Sequence, residues 1–206
     1  MKRNIYIDGE NFVHIAVSCL KKHKLITKRE QLTDFDFTYF IDFVTQQRPA
    51  KPQHVRYYGA KLKIVKSNPQ LEKLSLKMVQ WNAIWSNVLQ KHKIEYVKCG
   101  HLKVRDSHQC SYCGKTDQIF LEKGVDVGLA VDIVSDAFRK QAQEIILFSA
   151  DSDMLPAIKR AHSVGVKVIY AAFSGAVNRA LTTMSDEVWT YSEEQIIEAF
   201  KRSKHG

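Results

Sequence analysis

Six short runs of β-forming residues recur along this chain, each separated from the next by a longer stretch of helical period. They are Asn4–Ile7, Val55–Tyr58, Glu95–Cys99, Ile145–Phe148, Val166–Ala171 and Val188–Tyr191. Runs such as Ile145-Ile146-Leu147-Phe148 are apolar without a break, and a strand lacking alternation has both of its faces covered. Strands of that kind alternating with helices build a parallel sheet between two helical layers. The expected architecture is therefore α/β, a doubly wound three-layer sandwich. With 206 residues, 45% of them hydrophobic, the chain can bury a substantial core without disulfides, and residues 1–206 read as one domain.

Helical period covers Asn11–Lys21, Phe35–Gln46, Pro69–Lys91, Val125–Lys140, Met154–Ser163, Gly175–Met184 and Glu193–Lys201. In the third of these, Leu71, Leu74, Met78, Trp81, Trp85 and Val88 recur every three or four residues and share one face. We read that stripe as core, with a homodimer seam or a partner groove as the alternative. Cys99–Thr116 is turn-rich and polar and reads as a loop insertion.

The net charge of +9 is unevenly distributed. Between Arg48 and Arg105 stand 13 Lys and Arg against only Glu72 and Glu95, a local net of +11, which leaves −2 for the rest of the chain. Such asymmetry is the footprint of a polyanionic partner, usually nucleic acid, although a solvated lysine-rich face would read the same way. No apolar run approaches the roughly 20 residues that span a bilayer, and no secretory signal opens the chain, so the expected setting is the cytoplasm.

Acids stand where strands end. Ile5-Tyr6-Ile7 stops at Asp8, followed by Gly9, Glu10 and Asn11, and Ile145–Phe148 runs into Ser149-Ala150-Asp151-Ser152-Asp153. In an open parallel sheet the carboxyl ends of the strands line the ligand crevice. A third acid, Asp126, falls in the first turn of the helix opened by Gly124. Asp132, six residues on, is turned by about 120° around that helix and cannot serve the same small ion equally well. Carboxylates gathered in one crevice repel one another unless a cation holds them, and oxygen-only ligands suit Mg²⁺ or Mn²⁺. Such an ion activates water and stabilises a phosphodiester under attack. No G-x-G-x-x-G or G-x-x-x-x-G-K-[ST] loop is present, which argues against dinucleotide and nucleoside triphosphate binding.

The runs Ile7-Asp8-Gly9-Glu10-Asn11, Glu122-Lys123-Gly124-Val125-Asp126-Val127 with Ala130-Val131-Asp132, Phe148-Ser149-Ala150-Asp151-Ser152-Asp153 and Gly165-Val166-Lys167-Val168 resemble the NYN domain. The closer resemblance is to the LabA-like, DUF88-type branch of the PIN-like nuclease superfamily, from residue 4 to about residue 192. It implies a PIN-like sheet with a Mg²⁺ or Mn²⁺ site that cleaves RNA, usually single-stranded. By the same resemblance Asp8, Asp126 and Asp151 match the metal-holding acids, Asp153 the acid that follows, and Asn11 and Ser149 the polar residues that orient the site. Ser-Ala-Asp stands here where the family often has Ser-Gly-Asp.

Lys123, Arg56 and Arg179 are candidate phosphate contacts. Cys110-Ser111-Tyr112-Cys113 has the spacing of a zinc knuckle, with Cys99 as third ligand and His101 or His108 as fourth, giving a structural tetrahedral Zn²⁺ site; a reduced thiol pair in a loop and a redox dithiol are the alternatives. Cys19 reads as a buried small hydrophobe. The reading as a whole is a metal-dependent ribonuclease. An RNA-binding or regulatory module that keeps the fold without cutting is the alternative, and a small-molecule phosphatase gives no reason for the +11 segment.

Overall fold

A computed structural model describes residues 2–45, 52, 54–106, 112 and 118–202. The elements follow as β1 (Arg3–Asp8), α1 (Gly9–Lys22), a 3₁₀ turn (Arg29–Asp34), α2 (Phe37–Thr45), β2 (His54–Lys61), α3 (Pro69–Lys91), β3 (Glu95–Asp106), β4 (Gln118–Lys123), α4 (Val125–Phe138), β5 (Glu144–Phe148), a second 3₁₀ turn (Ser152–Met154), α5 (Leu155–His162), β6 (Lys167–Phe173), α6 (Arg179–Met184), β7 (Glu187–Tyr191) and α7 (Glu193–Arg202). All six expected strands and all seven expected helices are present, with ends shifted by a few residues. Among the described residues no helix is long and apolar enough to cross a membrane.

The strands form one sheet in the order β4-β3-β2-β1-β5-β6-β7, parallel throughout except for β4. The chain builds outward from β1 to β3, then returns to the other side of β1 with β5 and continues to β7. The junction of β1 and β5 is thus the topological switch point, where helices leave on opposite faces and open a crevice at the strands' carboxyl ends.

The unbroken apolar runs are explained by the two cores. Ile5, Ile7, Ile146 and Phe148 face one layer, built by α1, α2, the second half of α3 and α7, while Tyr6, Ile145 and Leu147 face α4, α5 and α6. Alternate side chains are buried on opposite faces, so these runs keep no exposed position for a polar residue. The first core is dense in aromatic rings, with Phe12, Phe35, Phe37 and Phe40 meeting at centroid separations of 5.0–5.6 Å. Edge-to-face pairs of this kind contribute about 0.5–1.5 kcal/mol beyond their buried area.

Two expectations change here. The segment Cys99–Thr116 is not simply a loop, because β3 runs on to Asp106 and pairs antiparallel with β4, from His101↔Lys123 to Asp106↔Gln118. That hairpin lies at the sheet's edge, where Leu102 and Val104 are only partly covered and alternate with exposed Lys103 and Arg105, so its sequence is more polar than the central strands'. The α3 stripe also divides. Leu71, Trp85 and Val88 are buried, whereas Leu74 is 43% exposed and, with Met78 and Trp81, borders an open groove.

Candidate active site

β1 ends at Asp8, which also caps α1 by accepting the Asn11 backbone N–H at 3.2 Å. The turn is tight because residue 9 is glycine: a Cβ there would stand 2.3 Å from the Tyr58 carbonyl and 2.4 Å from the Tyr57 ring. On the neighbouring strand Ile7 lies opposite Phe148, so Ser149 follows beside Asp8. The Ser149 hydroxyl donates to Asp8 Oδ2 at 3.1 Å and accepts the Asp151 N–H at 3.1 Å. Asp151 in turn accepts the Asp153 N–H at 2.8 Å. One serine therefore fixes both acids across the switch point.

Asp126 arrives from α4. Gly100, at φ +66°, lets β3 lie against the turn that starts this helix, since a Cβ would meet the Lys123 carbonyl at 2.3 Å. Asp8, Asn11, Asp126 and Asp151 line one cavity of about 330 Å³, and Glu10, His14 and Glu122 join them. No Lys or Arg among the described residues lines it. Burial, with Asp126 and Asp151 close by, lifts the Asp8 carboxyl to about 6 against the hydrogen bonds from Asn11 and Ser149. Burial and Asp151 likewise raise Asp126. Glu122 is pushed up to about 7 by burial and by Glu10, with Arg29 opposing. The cavity is thus crowded with carboxylates whose charge is poorly compensated, a donor set of oxygens that fits a hard divalent cation.

Other expected residues stand elsewhere. Asp153 is exposed and lines an adjoining depression with Asp126 and Arg160. Lys123 and Arg179 are exposed at the carboxyl side of the sheet; the Asn178 side chain, which caps α6 ahead of Arg179, donates to the Ala150 carbonyl at 2.8 Å and ties that helix to the Asp151 loop. Arg56 is a correction. It sits toward the amino end of β2, bonding Asp136 at 2.6 Å and Glu95 at 3.1 Å, so its guanidinium is committed to a structural ion pair away from the cavity. Asp132 accepts the Tyr58 hydroxyl at 2.9 Å, in keeping with its lower rank beside Asp126.

Of the expected zinc ligands, Cys110, Cys113 and His108 lie outside the described residues. His101 is exposed, and the Cys99 thiol packs on α4, 3.7 Å from the Val125 carbonyl. Among the described residues, the trio whose ligand atoms all lie within 4.8 Å of one another is Cys19, His23 and Glu193. There the Lys22 ammonium already holds both Glu193 oxygens at 2.8 and 2.9 Å. Glu10, His14 and Glu122 were not foreseen as site residues. His14 follows Asn11 by three residues on α1, a helical neighbour of a nominated residue, and that spacing was the available signal. Glu122 belongs to a strand that the sequence reading missed.

An α/β sheet whose switch point gathers acids in one cavity is consistent with a PIN-like doubly wound fold. The family comparison agrees: the NYN domain model matches residues 2–192, and the chain belongs to the NYN domain family, a member of the PIN-like superfamily. No curated protein matches the chain. Among solved structures, a Vibrio parahaemolyticus protein of unknown function is similar at a TM-score of 0.55 and 19% identity, covering 92% of this chain and 91% of that one. That likeness concerns the fold alone.

Proposed function

We propose that this NYN domain is a Mg²⁺- or Mn²⁺-dependent ribonuclease acting on single-stranded RNA, within the LabA-like, DUF88-type branch. The observation that carries the reading is the meeting of Asp8, Asp126 and Asp151, from three distant parts of the chain, in one cavity at the switch point. These three residues would hold the cation. Among the described residues, the oxygens of these three acids do not all lie within 4.8 Å of one another. When bound, such an ion lowers the pKa of water and neutralises charge developing on the phosphate.

The chain's own groups supply the rest. Ser149 holds Asp8 and the Asp151 backbone in register, Asn11 and His14 offer polar contacts from α1, and Asp153 orients water at the rim. Lys123 and Arg179 flank the carboxyl edge as phosphate contacts. Cys110 and Cys113, with Cys99 and His101 or His108, carry a separate proposal of a structural zinc, for which metal analysis of protein purified without chelator should find about one ion per chain.

The deciding test incubates labelled single-stranded RNA with the protein in Mg²⁺, Mn²⁺ or EDTA, beside an Asp151→Asn variant. Cleavage that needs the metal and fails in the variant supports the enzyme. Binding without cleavage supports the regulatory module, and equal cleavage by both proteins identifies a contaminant.

A further inference from the structure

The acid cavity does not end at Glu10 and Glu122. Both residues also line a second, larger groove of about 440 Å³, so the two spaces adjoin. Its walls are α3 on one side and β2, β3 and β4 on the other. The lining is apolar and aromatic, from Tyr57, Leu74, Met78, Trp81, Tyr96 and Phe120. We infer that this groove is a nucleobase subsite, which seats an unpaired base of the RNA strand whose phosphate lies at the acid cavity. The inference rests on the ribonucleic-acid reading of that cavity.

Two observations favour a base as the occupant. First, the groove is built from the chain's basic segment. β2, α3 and β3 all fall between residues 54 and 106, and the +11 stretch supplies their surface lysines; the groove itself carries Lys77 and Arg29 together with Glu10, Glu30 and Glu122, so the attraction for phosphate belongs to the surrounding surface. A strand of phosphates is drawn to that surface while its bases need apolar cover, the combination found where single strands bind. Second, the aromatic wall is organised. Trp81 stacks on Trp85 at 5.2 Å with planes 17° apart, and the Arg29 guanidinium lies 4.4 Å from the Trp81 ring, held there by the two hydrogen bonds of 2.8 Å that it donates to Glu10. A planar cation fixed over an indole extends the stack toward the acids, and both guanidinium planes and aromatic rings accept bases. A second copy of this chain would bring another +11 segment against the first and is disfavoured by charge.

The test uses the Asp151→Asn protein in EDTA, so that RNA is bound and left uncut. Affinities are measured by tryptophan fluorescence for a short single-stranded oligoribonucleotide and for the same oligomer with abasic positions, which keeps every phosphate. The ratio of the two affinities reports base recognition, because electrostatic changes cancel in it. We expect a ratio of about ten or more in the parent, falling to near one on adding Trp81→Ala and largely retained with Trp81→Phe. Leu74→Glu, at an exposed position on the rim, gives the same collapse if Trp81→Ala impairs folding. A ratio near one in the parent, or a ratio unmoved by both groove variants, overturns the subsite. Failure of the parent reading looks different: a wild-type protein that cuts no RNA while the ratio responds to Trp81→Ala leaves the groove standing without the nuclease, and cleavage with a ratio near one does the reverse.

Discussion

The two ends of strands β1 and β5 are equally rich in ionisable groups and opposite in how those groups are compensated. At the amino end Arg3 and Glu144 form a fully buried ion pair, and Asp136 receives the Asn4 amide at 3.2 Å, the Tyr6 hydroxyl at 2.5 Å and Arg56 at 2.6 Å. At the carboxyl end Asp8, Asp126 and Asp151 face one cavity, and burial together with the neighbouring acids raises the cost of charge on Asp8 and Asp126. Only a few residues of strand separate the two sets. An acid in this fold is therefore structural or chemical according to which end of the sheet it occupies, and the sign of its surroundings tells which.

The comparison breaks most sharply at Asp136. Asp136→Ala leaves Arg56 and the Tyr6 hydroxyl without their buried partner, and should cost about 3–5 kcal/mol in denaturant unfolding while leaving cleavage by the folded fraction unchanged. Asp151→Asn should behave oppositely. Metal-dependent RNA cleavage should fall about a hundredfold or more, and the thermal midpoint in EDTA should hold or rise, because one repelling charge is gone. A marked loss of stability in that variant would place Asp151 with the structural acids. Gly9→Ala drives a methyl group into backbone and ring, and an unfolding cost of about 1–3 kcal/mol is expected, with cleavage reduced because Asp8 moves with the turn.

The smallest effect concerns pH. Glu122 keeps its proton in the folded chain up to about 7, whereas the unfolded chain releases it near 4.5. The native state binds more protons across that window, so Glu122 contributes stability that is present below 4.5 and lost as pH rises through 7. Glu122→Gln should remove on the order of 1 kcal/mol of that decline when unfolding is followed from pH 4.5 to 7.5 in EDTA. An unchanged slope would show that Glu122 is solvated and belongs to neither set.

Much of the site was legible because it is local. An apolar run that stops at Asp8 or Ser149-Ala150-Asp151 announces a strand's carboxyl end in a few residues, and parallel sheets put those ends on one edge. Arg56 was misplaced because a short motif says nothing of which end of its strand is near a site. The β3–β4 hairpin was missed because edge strands are half exposed, and Leu102 and Val104 among charged neighbours look like a polar loop.

The sequence by itself determined the order of six of the seven strands and of the helices between them, the two-sided sheet, the acids at the strand ends and the placement of the positive charge in the middle of the chain. Those properties depend on periodicity and composition over a few to a few tens of residues. Tertiary structure alone decided that β5 would lie beside β1 and so bring Ser149 to Asp8, that Glu122 would join the acids from an edge strand, and that Leu74 and Trp81 would open onto a groove. Each of these is a meeting of side chains far apart in the chain, and only the packing of the strands and helices fixes such meetings.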